Sequence, residues 1–467
     1  MNLPFVGQAY KSRSGPWNSQ ECVNLFLEAG GPGAKTPAAL LGTPGLVEFA
    51  VLQPYGGEVR GLLSASNGDL YAVCDDQLFR VAADGRAVNL GSIETSSGPV
   101  AMGDNGVQVF IIDNPNGYVY SMKTGNLEKI VDTDWPGCSM ADYLDGYMIG
   151  ITPRSGQFWV TDLYNAGSMS ALDFASAEAN PDRLVAIQVD HREVWLFGER
   201  TVEVWYNSGD SSFPLSRVGG AFLEIGCAAP FSVAKADNTQ FWLATNGSVV
   251  RADGYTPKII STRAIEAAMA GYPRLDDARA FAYSQEGHTF YALTFPTADV
   301  TWVYDAATDA WHQRKSWGLG RWRANCYARL GQKHIVGDCT SGRLYLLDPE
   351  VYTDAGRPIE RVRTTQPIAA EDKRLIHSRL CVDFESGVGL SSGQGADPQA
   401  LLSWSDDGGR TWSNEYPAAM GHQGEYRTKA EWRRLGQSRA RVYRLRITDP
   451  VRVAILGAYG DIAQGKP

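Results

Sequence analysis

Cysteine is scarce and scattered in this 467-residue chain. Seven thiols, at 22, 74, 138, 227, 326, 339 and 381, form no CxxC pair, and their number is odd. That argues against a disulfide framework and for small buried thiols in a reducing compartment. Histidine is scarce too, with six residues at 191, 288, 312, 334, 377 and 422, none at a metal-ligand spacing. No metal or other cofactor is expected from such a set. No stretch approaches the 18 apolar residues of a membrane span, and the start MNLPFVGQAYKSRS lacks a signal-peptide core. The expectation is a soluble chain made in a cytosol, with no membrane insertion of its own. A basic surface is missing as well. Residues 1–360 hold 27 Lys/Arg against 40 Asp/Glu, whereas 361–467 hold 16 against 12. An acidic body is poorly suited to gripping a phosphate backbone, and a mildly basic end is better suited to another protein.

What the chain has instead is turn residues and aromatics: 50 Gly, 13 Trp and 21 Tyr. From about 60 to 347 one small unit keeps returning. It reads NGDLYAVCDDQLFRVAADG at 67–85, VQVFIIDNPNGYVYSMKTG at 107–125 and FWVTDLYNAG at 158–167. It returns as EVWLFGERTVEVWYNSG at 193–209, TQFWLATNGSVVRADG at 239–254, HTFYALTFPTADVTWVYDAATDAWHQ at 288–313 and GRLYLLD at 342–348. Each copy has alternating aromatic or β-branched runs broken by Gly, Asn or Asp, the pattern of a hairpin. The centres Tyr71, Tyr118, Trp159, Trp205, Val250, Val303 and Tyr345 lie 41 to 53 residues apart. Repeats of this period with about four strands each predict an all-β chain built on a β-propeller. Six blades fit the span best, if the first and last half-units complete each other; seven is the alternative.

Residues 1–50 are not a blade. Strand-like pieces at 22–27 and 46–51 flank a Gly/Pro/Ala-rich loop, which predicts an N-terminal arm on the ring with a closing strand. Within that loop GGPGAKT at 30–36 is a near miss for a phosphate loop, with Ala34 where Gly must precede Lys35. It reads as a surface loop. The one helical segment, 262–270, has Ser261 or Thr262 as cap, Glu266 in its first turn and Gly271 at its end. It is expected on the outside of the ring, as a blade-edge cap or a subunit contact. Residues 51–352 are then the propeller, and 353–467 a β-sandwich-like domain with strand patterns at 377–387, 400–413, 429–450 and 451–462.

In that last domain Val442, Leu445 and Ile447 read as the inner side of a strand, after allowing for a bulge. Arg441, Arg444 and Arg446 are its outer side. They are candidates for contact with a neighbouring subunit, the alternative being a solvated cationic face. SDDGGRTW at 405–412 matches an Asp-box through Ser405, Asp407, Gly409, Thr411 and Trp412. The motif is a hairpin turn whose Asp caps backbone N–H groups, and it holds no catalyst. Asp75–Asp76, Asp276–Asp277 and Asp406–Asp407 likewise read as turn residues. TWVYDAATDAWHQR at 301–314 resembles one kelch-type blade, with Tyr304, Asp305 and Trp311 as hairpin residues.

Several longer phrases carry a resemblance. They are CVNLF at 22–26, LLGTPGL at 40–46, FWVTDLYNA at 158–166 and DFASAEANPDRLVAI at 173–187. VWLFGERTVEVWYNSG at 194–209, NTQFWLATNGSVVRADG at 238–254, ISTRAIEAAM at 260–269 and RVYRLRITDPVRVAILGA at 441–458 complete them. Together they resemble the tail hub proteins of short-tailed phages, the packaged-DNA stabilisation proteins or tail accessory factors of the phage P22 group. The resemblance implies a structural virion protein without catalytic residues. It implies a propeller with an appended β domain, assembled as a ring of six below the portal and its adaptor ring. The expected partners are other copies of the chain, the adaptor, a tail needle or plug, tail spikes or fibres, and genome DNA passing without sequence-specific binding. The loop at 28–39 and the C-terminal strands depart from the family, which bears on the identity of spike and needle. The competing expectations are a glycan depolymerase or sialidase-like hydrolase, and a protein-binding propeller module.

Overall fold

In the computed structural model, residues 1–177, 182–371 and 373–465 are described. Four residues of the phrase at 173–187 therefore lie outside the described residues. Five antiparallel four-stranded sheets follow one another at 59–92, 101–129, 140–176, 184–223 and 234–259, and a sixth four-stranded unit at 279–314 is the start of a larger sheet. A seventh combines Ala324–Leu330, Lys333–Asp338 and Arg343–Asp348 with Gly45–Val51, which pairs antiparallel to Arg343–Asp348. In each blade the second strand is buried, as in Leu70–Cys74; the fourth is largely exposed in the first blade, Ala87–Ser92, but buried in the sixth, Ala310–Arg314, where the sandwich covers it. The innermost strands neighbour one another in order, and Ala324–Leu330 returns to Val59–Ser64 to close the ring. At this closure the Asn325 amide donates to Val59 O at 2.9 Å.

The propeller thus has seven blades rather than six. The last half-unit is completed by the strand at the chain's start, so the first unit keeps four strands of its own. Close packing inside a blade also dictates residue size. Gly150 pairs across from Trp159, and a Cβ there would sit 2.3 Å from the indole. The helix Arg263–Met269, capped by Thr262, buries Ile265 and Met269 beside Phe241, Leu293 and Phe295 of the fifth and sixth blades.

Residues 1–42 do not lie on the ring as an arm. Cys22–Val23 joins Arg361–Thr364, Ala440–Ile447, Gln399–Ser405 and Tyr416–Ala419 in one sheet of the sandwich. Leu25–Ala29 and Ala38–Gly42 join Ala454–Gln464, Leu375–Phe384 and Ala430–Arg433 in the other. Leu3, Phe5, Leu25 and Leu40 fill the space between the sheets with Leu380, Val382, Leu402, Tyr443 and Leu445. Asn24, at φ 53, breaks the run 22–27 in two, so one short stretch serves both sheets. Val23 also pairs in parallel with Gln313, which makes the first sheet continuous with the sixth blade.

Candidate assembly site

The strand Ala440–Ile447 lies in the middle of its sheet, paired on both sides in unbroken register. No bulge occurs. Alternation therefore turns Tyr443, Leu445 and Ile447 into the core and leaves Val442 on the opposite side. The expected inner set was one residue out of phase at Val442, because Tyr443 was not counted as a core residue.

The three arginines are engaged within the chain. Arg441, 2% exposed, forks onto Asp406, with Nε–Oδ1 at 2.7 Å and Nη2–Oδ2 at 2.8 Å. A third bond goes from Nη1 to Leu435 O, and the guanidinium lies over the Trp404 ring. Arg444 donates from Nε to Ser403 Oγ at 3.1 Å and stacks 4.2 Å over Trp412. Arg446 bridges Glu360 at 3.1 Å and Glu415 at 3.0 Å. As placed, Arg441 is closed to a neighbour, and the other two already have partners. Asp406, read as a turn residue, is the counter-charge that the sequence did not reveal. Beneath them His377 is buried, its Nε2 at 2.9 Å from Ser438 Oγ and its Nδ1 at 2.8 Å from the Tyr443 hydroxyl. Burial, with Arg441 nearby, holds its pKa down at about 4. Burial pushes the Tyr443 phenol up to about 12.

The Asp-box forms the expected turn. Asp407 Oδ1 accepts from the N–H groups of Arg410 and Thr411 at 2.9 Å, and Gly409 N donates to Ser405 Oγ at 2.8 Å. These bonds, led by those from the Ser405 and Thr411 hydroxyls, hold the Asp407 carboxyl well below its usual range. Gly408 meets Gly15 and Pro16, so the turn is docked on the N-terminal segment. Its carboxylate is engaged by Ser405, Arg410 and Thr411 within the turn. Lys35, of the near-miss phosphate loop, reaches Asp383 at 2.6 Å and is committed to that ion pair.

The seam between propeller and sandwich holds polar side chains that sequence reasoning missed. Asn24 donates to Lys315 O and Glu360 O, each at 2.9 Å, and accepts from Lys315 N. His288 of the sixth blade lies 2.8 Å from both Asp305 and Glu28. The bond to Asp305 and then that to Glu28 outweigh burial and raise its pKa to about 9. Arg314 stacks 3.6 Å over Trp322 and donates to Pro44 O at 2.8 Å. Arg363 is wholly buried and donates to Phe5 O at 2.6 Å and Gly7 O at 3.1 Å, fixing the N-terminal segment. The phrase CVNLF held the one readable signal, an Asn inside a strand pattern. Among the described residues no group of three or more His, Cys, Asp or Glu is placed to hold a metal ion. The chemistry of the seam is that of a joint, with charge pairs and main-chain clamps, and a cavity there is lined by Cys22, Thr262, Ile265, Trp302, Trp311 and His312, the Cys22 thiol having a pKa that burial raises.

Two family models match the chain. That described as Bacteriophage P22 Gp10, beta-propeller, matches residues 1–352, and that described as Bacteriophage P22 Gp10, beta-sandwich, matches 360–462. No curated protein matches. Among solved structures, the computationally designed Ika8 protein is similar at TM-score 0.41 and 12% identity, over 64% of this chain and 99% of that one. The WD40 β-propeller domain of Doa1 is similar at 0.40 and 11%, over 64% and 97%. PorZ of Porphyromonas gingivalis is similar at 0.40 and 13%, over 79% of this chain and 46% of PorZ.

Proposed function

Because the chain belongs to the bacteriophage P22 Gp10 family, as a structural protein of the phage tail, we propose that it is the hub of a short tail. In this reading six copies form a ring below the portal and its adaptor, extend the DNA channel and help to retain packaged DNA. Needle or plug and tail spikes or fibres attach to the same ring, and the chain is made in the host cytoplasm before assembly.

The observation that carries the reading is the span of the two models, which together take in both the propeller and the sandwich. Composition supports it. An acidic wall does not trap moving DNA, since each phosphate neutralised by Lys or Arg adds salt-sensitive affinity. The joint supports it too, because a clamped propeller and sandwich present two different surfaces in fixed relation, as a closed ring of identical subunits requires. Among the described residues no helix is long and apolar enough to cross a membrane. A cryo-electron map of the virion tail tests the proposal. Six copies around the channel are expected; a position at a spike tip, or absence from the particle, would overturn it.

A further inference from the structure

Two exposed patches of opposite character lie on different bodies of the chain, one on the propeller and one on the sandwich. The first is on the outer wall of the second and third blades. Val131, Leu172 and Phe174 are 82%, 81% and 49% exposed there. Asp134 accepts a hydrogen bond from Ala171 N at 3.2 Å, which brings Leu172 beside the turn that carries Val131. Asp132 and Asp134 have no cationic partner among the described residues. Large apolar groups rimmed by charge mark a contact site.

The second patch is on the outer face of the sandwich. Ile376, 43% exposed, lies between Gln437 and Ala463 of the adjoining strands. Arg374 is two residues away on the same face, and Arg434 N bonds to Ser378 O on the next rung. Among the described residues neither Arg374 nor Arg434 has an ion-pair partner. The charge of the two bodies follows the patches. The sandwich, 1–42 with 361–467, carries 19 Lys/Arg against 14 Asp/Glu, and the propeller between them carries 24 against 38.

We propose that the chain binds a second copy of itself head to tail, Ile376 with Arg374 and Arg434 of one sandwich seating on Val131, Leu172 and Phe174 with Asp132 and Asp134 of the neighbour's propeller. The inference rests on the tail-hub reading and goes beyond it by naming the two faces. The sandwich joins the ring at the sixth blade through Val23 and Gln313, whereas the first patch is on the second and third blades, so the two patches lie on separate surfaces of one subunit. A contact between unlike patches leaves one of each free, which is what ring growth needs, whereas a two-fold contact uses up both. Opposite charge orients the encounter, and the buried apolar groups slow dissociation.

Two variants separate these possibilities. R374E/R434E loses the basic face and keeps the acidic patch; D132R/D134R does the reverse. Each alone is expected to sediment as a monomer. Their equimolar mixture is expected to associate, because it holds one wild-type contact and one charge-swapped contact of opposite sign. Adding L172C to the first variant and I376C to the second, followed by oxidation, traps even a weak pair. At least tenfold more linked product is expected in the mixture than in either variant alone. Circular dichroism checks the fold, and the milder R374Q/R434Q and D132N/D134N replace any variant that fails it. Absence of linked product in the mixture, or equal linkage in the separate variants, overturns the contact. A virion that contains the chain while the mixture does not link rejects these faces and leaves the hub reading standing. Linkage of a chain absent from virions does the opposite.

Discussion

His288 and Glu28 face each other at 2.8 Å across the seam, one from the sixth blade and one from the sandwich hairpin Leu25–Ala29. The other ring nitrogen of His288 is 2.8 Å from Asp305, so the imidazolium sits between two carboxylates, with the Phe26 and Phe290 rings packed against it. Its pKa of about 9 lies above the ordinary 6.5. In that window the folded state binds a proton that the unfolded chain does not hold. The stabilisation is therefore complete below about pH 6.5 and is lost as pH rises through about 9. Urea titrations of the wild type should show that loss between pH 7 and 9. H288Q should remove this slope and lower stability at pH 6.5 by about 1–3 kcal/mol. An unchanged slope in H288Q would show that the bridge does not tie the two bodies.

Acid acts through a different pair of groups, and with the opposite sign. His377 and His312 are held neutral, at about 4 and about 3, chiefly by burial. The unfolded chain takes up those protons near 6.5, so stability should fall as pH drops from 6.5 towards 4. Stability at pH 7 and pH 5 measures this directly. H377N, which leaves Ser438 and Tyr443 without their ring partner, should cost about 1–3 kcal/mol at pH 7 and show a smaller loss on acidification.

Strand existence was legible from alternation because aromatic and β-branched residues recur at period two through every blade. Ring closure was half legible. The strand near Leu46 was visible, but its pairing with Arg343–Asp348 is a long-range choice that no local pattern encodes. The same limit hid the destination of residues 1–42, whose short strands gain their meaning from partners more than 300 residues away. In the candidate site the cationic character of Ala440–Ile447 was plain, but its counter-charges were not. Asp406 and Glu415 are distant in sequence from Arg441 and Arg446, and a carboxylate in a turn looks the same whether or not it has a partner.

Arg441 should therefore matter for folding of the sandwich. Removing the Asp406 carboxylate leaves a guanidinium that is 2% exposed with main-chain acceptors alone. D406N should destabilise by about 1–3 kcal/mol, at the lower end of a broken buried pair because Asp406 itself is half exposed. R444A, which loses one neutral acceptor and a stacking contact on Trp412, should cost about 0.5–1 kcal/mol. Thermal melts of the two variants should keep this order. Equal melting temperatures would place the Asp406 pair among ordinary surface ion pairs.

Catalysis is not expected of this tail protein, and the Asp-box is where that expectation is open to test. Asp407 spends its oxygens on Ser405, Arg410 and Thr411, so D407N should loosen the turn against Gly15 and Pro16. Purified wild-type protein incubated with host capsule, lipopolysaccharide and sialosides should give no turnover. Cleavage that disappears when a carboxylate is neutralised would restore the hydrolase alternative.

The N-terminal 51 residues tie both bodies together, and the consequence is measurable. Phe5 is fully buried in the sandwich core, its carbonyl held by Arg363, while Leu46 lies in the strand that completes the seventh blade. F5A should open a cavity and cost about 3–5 kcal/mol, concentrated in the sandwich. L46D puts an unpaired carboxylate among Phe26, Phe281, Trp322 and Tyr345, so its damage should centre on the seventh blade and spread to the closure with Val59–Ser64. Hydrogen exchange followed by mass spectrometry reads the two patterns separately. F5A should deprotect Leu375–Phe384 and Ala454–Gln464 first, and L46D should deprotect Ala324–Leu330 and Arg343–Asp348 first. If both substitutions deprotect the whole chain to the same extent, the two bodies unfold as one unit and the seam is stiffer than its polar bridges imply.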